Sequence, residues 1–144
     1  MVRYYSDDGV FEAPLNKVWT LVQAHAEHAT KIHPGLVASK GTPNPDGTVN
    51  AEWVTKGPDG KNVNMRLKIS MKPPFTQSVE FTEGPLKGSW MTTSYIPEGN
   101  RTRCITVADW KVQGVTDENQ LRKMANEFFD NGFDEDSRYL KTMN

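Results

Sequence analysis

The sequence predicts an α+β fold in which a curved antiparallel sheet of about seven strands packs around one long C-terminal helix. Two observations support this prediction. Over residues 116–143, apolar side chains recur at helical spacing and cover about half of the helix circumference, so the helix needs a broad apolar surface to lie on. Most of the preceding chain reads as short strands separated by turns that contain proline or glycine. The 144 residues fit one domain, assigned to residues 1–144.

The first part of the chain predicts one strand followed by two short helices. Residues 3–12 read as the first strand. Pro14 is well placed at the first turn of a helix, because its missing N–H needs no partner there. We expect this first helix to end near His25. A second helical piece, over residues 27–32, should end before Pro34, since the residue before a proline disfavours helical geometry.

Turn residues divide the middle of the chain into the remaining strands. Proline, asparagine, aspartate and glycine mark these turns, at residues 43–47, 57–60, 73–74, 84–88 and 97–100. In the clearest strand, apolar residues alternate with polar ones, the apolar set being Val63, Met65, Leu67, Ile69 and Met71. A last strand over residues 102–112 leads to the long helix, for which Thr116 or Asp117 is the expected N-cap.

Composition excludes several classes of function. The net charge of −1, with acids and bases interspersed, argues against a nucleic-acid or anionic-membrane surface. No apolar run approaches the ~20 residues of a membrane span, and the N-terminus has no signal-peptide pattern. The single cysteine, Cys104, cannot form an internal disulfide and suits a reducing cytoplasm, so we expect a soluble cytoplasmic protein, monomeric or homodimeric.

Several segments of the chain match the pattern of a known family. The segment Phe11-Glu-Ala-Pro-Leu-Asn-Lys-Val-Trp19 combines an apolar strand end, Ala-Pro and a Val-Trp pair on the first helix. The segment Ile32-His-Pro34 closes the second helical piece, and residues 101–110 cover most of the predicted last strand. In these segments, and in the order of its elements, the chain resembles the START-like, Bet v 1-like superfamily, also called SRPBCC.

The resemblance implies a helix-grip fold with a cavity between the sheet and the long helix. Members of the superfamily bind or carry lipids, sterols, quinones, plant hormones and polyketides, and a minority catalyse cyclisation or related chemistry. The alternative for any one aromatic residue is that it packs a dry core. The residues that we expect to contact a ligand are Trp53, Met65, Leu67, Ile69, Phe81, Trp90, Trp110, Phe128, Phe129, Gly132 and Phe133.

Four residues are candidates for acid–base chemistry in such a cavity: Asp109, Tyr95, Asp136 and His28. Asp136 is the most unusual, because it falls inside the apolar arc of the long helix. Its carboxylate must reach solvent near the helix end, pair with a cation such as Arg3 or Arg66, or lie in the cavity with a raised pKa. For Asp109 the strand pattern does not decide whether the side chain points inward.

Three histidines, His25, His28 and His33, lie within nine residues. We interpret them as structural or exposed residues, because a zinc site needs ligands that converge from fixed positions. A metal site and a polar gate at the cavity mouth are the alternatives. The sequence therefore predicts no metal and no cofactor.

Three functions are compatible with the sequence. The first is the binding or transport of a small hydrophobic molecule such as a lipid, quinone or polyketide. The second is an enzyme of the polyketide cyclase type that uses the same cavity. The third is a protein-interaction module of the co-chaperone kind, which would have a filled interior and a large exposed apolar patch.

Overall fold

The computed structural model describes residues 1–72 and 75–143. It has seven strands and two helices among these residues. In chain order they are β1 (Val2–Phe11), α1 (Leu15–Ile32), β2 (Leu36–Pro43), β3 (Val49–Lys56), β4 (Asn62–Lys72), β5 (Thr76–Glu83), β6 (Trp90–Glu98), β7 (Arg101–Trp110) and α2 (Glu118–Leu140). The predicted α+β class, with a seven-stranded antiparallel sheet and a long C-terminal helix, is confirmed.

The strands form one antiparallel sheet in the order β1-β7-β6-β5-β4-β3-β2. The last strand therefore pairs with the first, and β1 and β2 are the two edges. Register shifts interrupt β1 between Ser6 and Gly9, and β2 between Leu36 and Ala38. Such irregularities bend a strand and increase its twist, which helps the sheet to curve around a helix.

The turns that join the strands follow the proline and glycine signals. The Gly60 N–H donates to the Gly57 carbonyl at 2.9 Å, and the Gly47 N–H donates to the Asn44 carbonyl at 3.1 Å. Both glycines have positive φ, which L-residues with a side chain rarely adopt. The predicted turn at residues 73–74 lies outside the described residues.

The two helical pieces predicted after the first strand are joined in the structure as α1, with a break at His28. This residue has φ −125° and ψ 26°, which is not helical geometry. The helix ends at Ile32, before Pro34, as expected. The break is a kink in α1, and Ala29 and Ile32 beyond it are buried.

Asp117 is the N-cap of helix α2, and its carboxylate accepts hydrogen bonds from the Asn119 and Gln120 N–H groups. The helix contacts α1, β1 and β7. Its N-terminal half packs directly on the sheet, where Leu121 and Ala125 are buried in one core with Trp110. Its C-terminal end joins a second core beside α1, through Leu140. Between these two cores the helix and the sheet enclose a cavity.

Candidate functional site

A cavity of about 920 Å³ lies between the inner face of the sheet, the C-terminal half of α2 and the end of α1. Alternation along each strand brings one set of side chains to this face. Nine of the eleven residues predicted to contact a ligand line the cavity: Trp53, Met65, Leu67, Ile69, Phe81, Phe128, Phe129, Gly132 and Phe133. Its wall is therefore largely apolar and aromatic.

The other two predicted residues do not line the cavity. Trp90 lies on the outer face of β6, where it pairs in register with Asp109 and is 37% exposed. The inward residues of this strand are Met91, Thr93 and Tyr95. Trp110 does face inward, but it is buried in the core beyond the cavity, with its ring centroid 4.6 Å from that of Phe128. Both predictions are corrected by the structure.

The C-terminal half of α2 leaves room for the cavity at Gly132. A Cβ at this position would meet no atom within 4 Å, so the missing side chain leaves open space. One turn earlier, Phe129 stacks on Tyr4 with a centroid distance of 4.3 Å. Next to the glycine, Phe133 stacks on Phe11 at 4.6 Å. Stacked aromatic pairs thus hold the helix against β1 on both sides of the gap.

A row of polar side chains crosses the floor of the cavity. Gln77, Thr93, Thr106 and Ser6 are successive cross-strand neighbours on β5, β6, β7 and β1, and all four line the cavity. The Thr93 and Thr106 hydroxyls lie 3.0 Å apart. The Tyr95 hydroxyl donates to Gln77 Oε1 at 3.5 Å. The floor therefore offers hydroxyl and amide groups within an apolar wall.

The structure separates the four candidates for acid–base chemistry. Tyr95 and Asp136 line the cavity. Burial raises the pKa of Tyr95 well above its ordinary value, so its hydroxyl keeps its proton at neutral pH.

The other two acid–base candidates lie outside the cavity. Asp109 lies on the outer face of β7, where its carboxylate accepts a hydrogen bond from Arg3 at 3.0 Å. His28 is exposed, and its Nε2 lies 3.8 Å from a Glu27 carboxylate oxygen. Neither Asp109 nor His28 can act on a molecule in the cavity.

Asp136 does not pair with Arg3 or Arg66. Instead its carboxylate oxygen Oδ1 lies 3.0 Å from His25 Nε2 and 3.4 Å from His33 Nε2. The two Nε2 atoms are 3.1 Å apart. All three side chains line the cavity, and between 11% and 21% of each is exposed.

Each imidazole of this cluster is oriented by a second contact. His25 Nδ1 lies 3.0 Å from the Leu21 carbonyl oxygen and 3.3 Å from that of Val22, so Nδ1 carries a proton and donates it. His33 Nδ1 lies 3.1 Å from Glu135 Oε1 and donates in the same way. Burial acts to lower the pKa of His25, but Asp136 and the two carbonyl groups outweigh it, and the pKa is raised.

Acidic side chains dominate the charged part of the cavity wall. Five carboxylates and one lysine line it: Asp8, Asp130, Asp134, Glu135, Asp136 and Lys56. Most of these residues are exposed, which places them at the mouth of the cavity. A charge distribution of this sign favours a neutral or cationic molecule over an anion.

The comparisons with solved structures identify the architecture. A START superfamily protein from Mycobacterium smegmatis is 12% identical, with a TM-score of 0.82 over 99% of this chain and 98% of that one. Ara h 8.0201 is 12% identical, with a TM-score of 0.75 over 99% of both chains. The chain has the Bet v 1-like, helix-grip fold. The Zhui aromatase/cyclase from a Streptomyces species shares it, at 13% identity and a TM-score of 0.70 over 96% of this chain and 89% of that one.

No protein-family model matches the chain, and no curated protein matches its sequence.

Two features of the site were not predicted from the sequence. The polar row could have been predicted, because Gln77 has the same strand parity as Val79 and Phe81, an apolar pair that indicates the inward face of β5. The convergence of His25 with His33 could not have been predicted. In a straight helix, eight residues rise by about 12 Å, and only the break at His28 brings the two rings together.

Proposed function

We propose that this protein binds a small, largely apolar molecule in the cavity between the sheet and α2. The observation that carries the proposal is the cavity of about 920 Å³, with its aromatic and aliphatic wall. Small-molecule sites are usually apolar clefts of roughly 300–1,000 Å³ in which a few polar groups fix the orientation of the ligand. The polar row on the floor supplies such groups.

The lining restricts the chemistry of the ligand. Its apolar body would lie against Met65, Leu67 and the phenylalanines of α2. A hydroxyl or carbonyl group would reach the polar floor, where Tyr95 and the threonines can donate or accept. A carboxylate or phosphate is disfavoured, because five acidic residues surround the cavity. The expected ligand is therefore neutral or cationic, such as a quinone, a sterol or a polyketide without a free acid.

No helix in the described part of the chain is long and apolar enough to cross a membrane. A cytoplasmic location is part of the same proposal, since Cys104 is a buried, unpaired thiol of the kind that a reducing compartment preserves. The interaction-module alternative required a filled interior, and the cavity argues against it.

A cyclase-type enzyme is the second candidate function. It is favoured by the position of Tyr95 and Asp136, which place a neutral hydroxyl and a carboxylate at the wall of one cavity. If the protein is an enzyme, Tyr95→Phe and Asp136→Asn should each abolish turnover of a polyketide-type substrate while binding is largely kept. Asp109→Asn is the matched control, because that carboxylate is outside the cavity and pairs with Arg3. Two fully active variants would remove the enzyme hypothesis.

Native mass spectrometry of the protein as purified tests the binding proposal. We expect excess mass over the denatured chain, lost on denaturation and recovered in an organic extract. Two fluorescent probes then test the charge preference: neutral N-phenyl-1-naphthylamine should bind more tightly than the anionic 1-anilinonaphthalene-8-sulfonate. A clean apo mass together with no saturable binding of either probe would contradict the proposal.

A further inference from the structure

We propose that His25, His33 and Asp136 form a binding site for one divalent transition-metal ion, open to the cavity. The first argument is the convergence of three ligand-type atoms from separate parts of the chain. His25 Nε2, His33 Nε2 and Asp136 Oδ1 are mutually 3.0 to 3.4 Å apart. They come from the middle of α1, the residue that follows it, and the last turns of α2.

These distances fit a metal ion. A point about 2.1 Å from all three atoms exists about 1 Å above their plane, and 2.0–2.2 Å is the usual bond length to imidazole nitrogen and carboxylate oxygen. The angles between ligands at that point are about 90–110°, which lie between octahedral and tetrahedral values. The distances between the three ligand atoms therefore already match those of a metal site.

The hydrogen-bonded partners of the histidines give the second argument. Both Nδ1 atoms face oxygens that can only accept, from Leu21 and Val22 in one case and Glu135 in the other. Each neutral ring therefore presents the lone pair of Nε2 toward the cluster. Metal-ligating histidines in proteins have this arrangement, in which the second nitrogen donates to a carbonyl or carboxylate that fixes the ring.

The position of the cluster gives the third argument. When both rings are neutral, two lone pairs and a carboxylate oxygen lie within 3.4 Å of one another, and a cation between them would stabilise this arrangement. The carboxylates of Asp134 and Glu135, on the same part of α2, add to the negative charge. Since all three ligands line the cavity, the remaining coordination positions face its interior, where water or an oxygen atom of a bound molecule can occupy them.

The donor set selects the class of metal. Two imidazoles and one carboxylate suit Zn²⁺, Fe²⁺, Co²⁺ or Ni²⁺, whereas Ca²⁺ and Mg²⁺ prefer oxygen ligands alone. Sites with three protein ligands and open positions are typical of metals that interact with a substrate. This inference does not depend on the proposed apolar ligand, because the metal can be titrated alone.

The test is calorimetric titration of Zn²⁺ into the full chain after removal of metals with a chelator. We expect one ion per chain in the wild type. Asp136→Asn and His33→Gln should lower the affinity by more than the roughly 10–100-fold that loss of an outer-shell partner costs, and Glu135→Gln should fall within that range. Glu27→Gln is the matched control, since it removes an exposed carboxylate of the same helix that does not line the cavity, and it should leave the affinity unchanged.

Absorption of the Co²⁺-loaded protein gives a readout of the ligand set. Visible bands should appear in the wild type and in Glu27→Gln and be lost in Asp136→Asn. The proposal is overturned if the wild type gives no saturable heat with millimolar Zn²⁺, or if Glu27→Gln weakens binding as much as Asp136→Asn. Circular dichroism shows whether each variant is folded. If the ligand variants do not fold, the Zn²⁺ affinity of Glu135→Gln, which retains all three ligands, tests the proposal. If the wild type binds the fluorescent probe but not Zn²⁺, the proposed function stands and the metal site is rejected. If it binds Zn²⁺ but not the probe, the metal site stands and the proposed function is rejected.

Discussion

At Gly132 the long helix lacks the side chain that would otherwise project into the cavity. Glycine costs a helix interior about 0.5–1 kcal/mol relative to alanine. Since an added Cβ would meet nothing within 4 Å, Gly132→Ala should raise the free energy of unfolding by about that amount. Urea denaturation checks this expectation. A loss of stability would mean that α2 lies closer to the sheet than the structure places it.

Cys104 provides a second prediction for a single residue. Burial raises the pKa of its thiol to about 12, so the thiolate that reacts with alkylating agents is scarce at neutral pH. N-ethylmaleimide should modify the folded protein far more slowly than the urea-unfolded chain, at every pH from neutral to about 9. Mass spectrometry measures both rates. Equal rates for folded and unfolded protein would show that the thiol is neither buried nor shifted.

The N-cap of α2 is a prediction about an element. The Asp117 carboxylate accepts from the Asn119 N–H at 2.8 Å, and Asp117→Ala should therefore destabilise the protein by about 0.5–2 kcal/mol. Thr116→Ala is the matched control, because the structure places the cap one residue later. Equal effects of the two substitutions in urea denaturation would contradict the assignment of Asp117 as the cap.

The contact of α1 with β2 depends on Gly41. A Cβ at this position would lie 2.6 Å from the Ala26 backbone oxygen, so either the helix or the strand must move. Gly41→Ala should destabilise the fold by about 1–3 kcal/mol, as overpacking does. Gly35→Ala, where a Cβ meets nothing within 4 Å, is the control, and both are measured by urea denaturation. A neutral Gly41→Ala would show that α1 is free to shift.

The elements were predictable where one signal was strong. The alternation from Val63 to Met71 determined β4 and its inward face, and the apolar stripe over residues 116–143 determined α2. Strand β6 had no such pattern, because Trp90 and Ile96 favour one face while Met91 and Tyr95 favour the other. In the folded protein, β6 pairs with β7, whose residues Cys104 and Trp110 are buried, and this pairing turns Met91 and Tyr95 inward. That information is tertiary, which is why Trp90 was wrongly assigned to the cavity.

The site was predictable only in part for the same reason. Apolar wall residues follow from strand parity and helix periodicity. The cluster of His25, His33 and Asp136 depends on a break in α1 and on the approach of α2 from more than a hundred residues away. The sequence predicted an interruption of the helix after His25, but neither the direction of the chain beyond it nor the approach of α2 has a local signal. The histidines were therefore interpreted as structural or exposed, and Asp136 was assigned no partner among them.

For the whole molecule, the long helix joins a packed core at each of its ends and stands apart from the sheet between them. The core around Leu121 and Trp110 closes the first end. Beyond it, Gly132 and the polar floor leave a space that no side chain fills. A two-layer fold normally fills this interior, and the energetic cost of leaving it open is consistent with selection for a bound molecule.

Titration with N-phenyl-1-naphthylamine, followed by fluorescence, tests the cavity most directly. The wild type should bind it saturably. Gly132→Leu should remain folded and bind roughly 5- to 150-fold more weakly, because overpacking costs about 1–3 kcal/mol and about 1.4 kcal/mol corresponds to a factor of ten. Asn126→Leu, which adds a similar side chain at an exposed position of α2, should bind as the wild type does. An isotherm that is unchanged in Gly132→Leu would show that the ligand does not occupy this cavity.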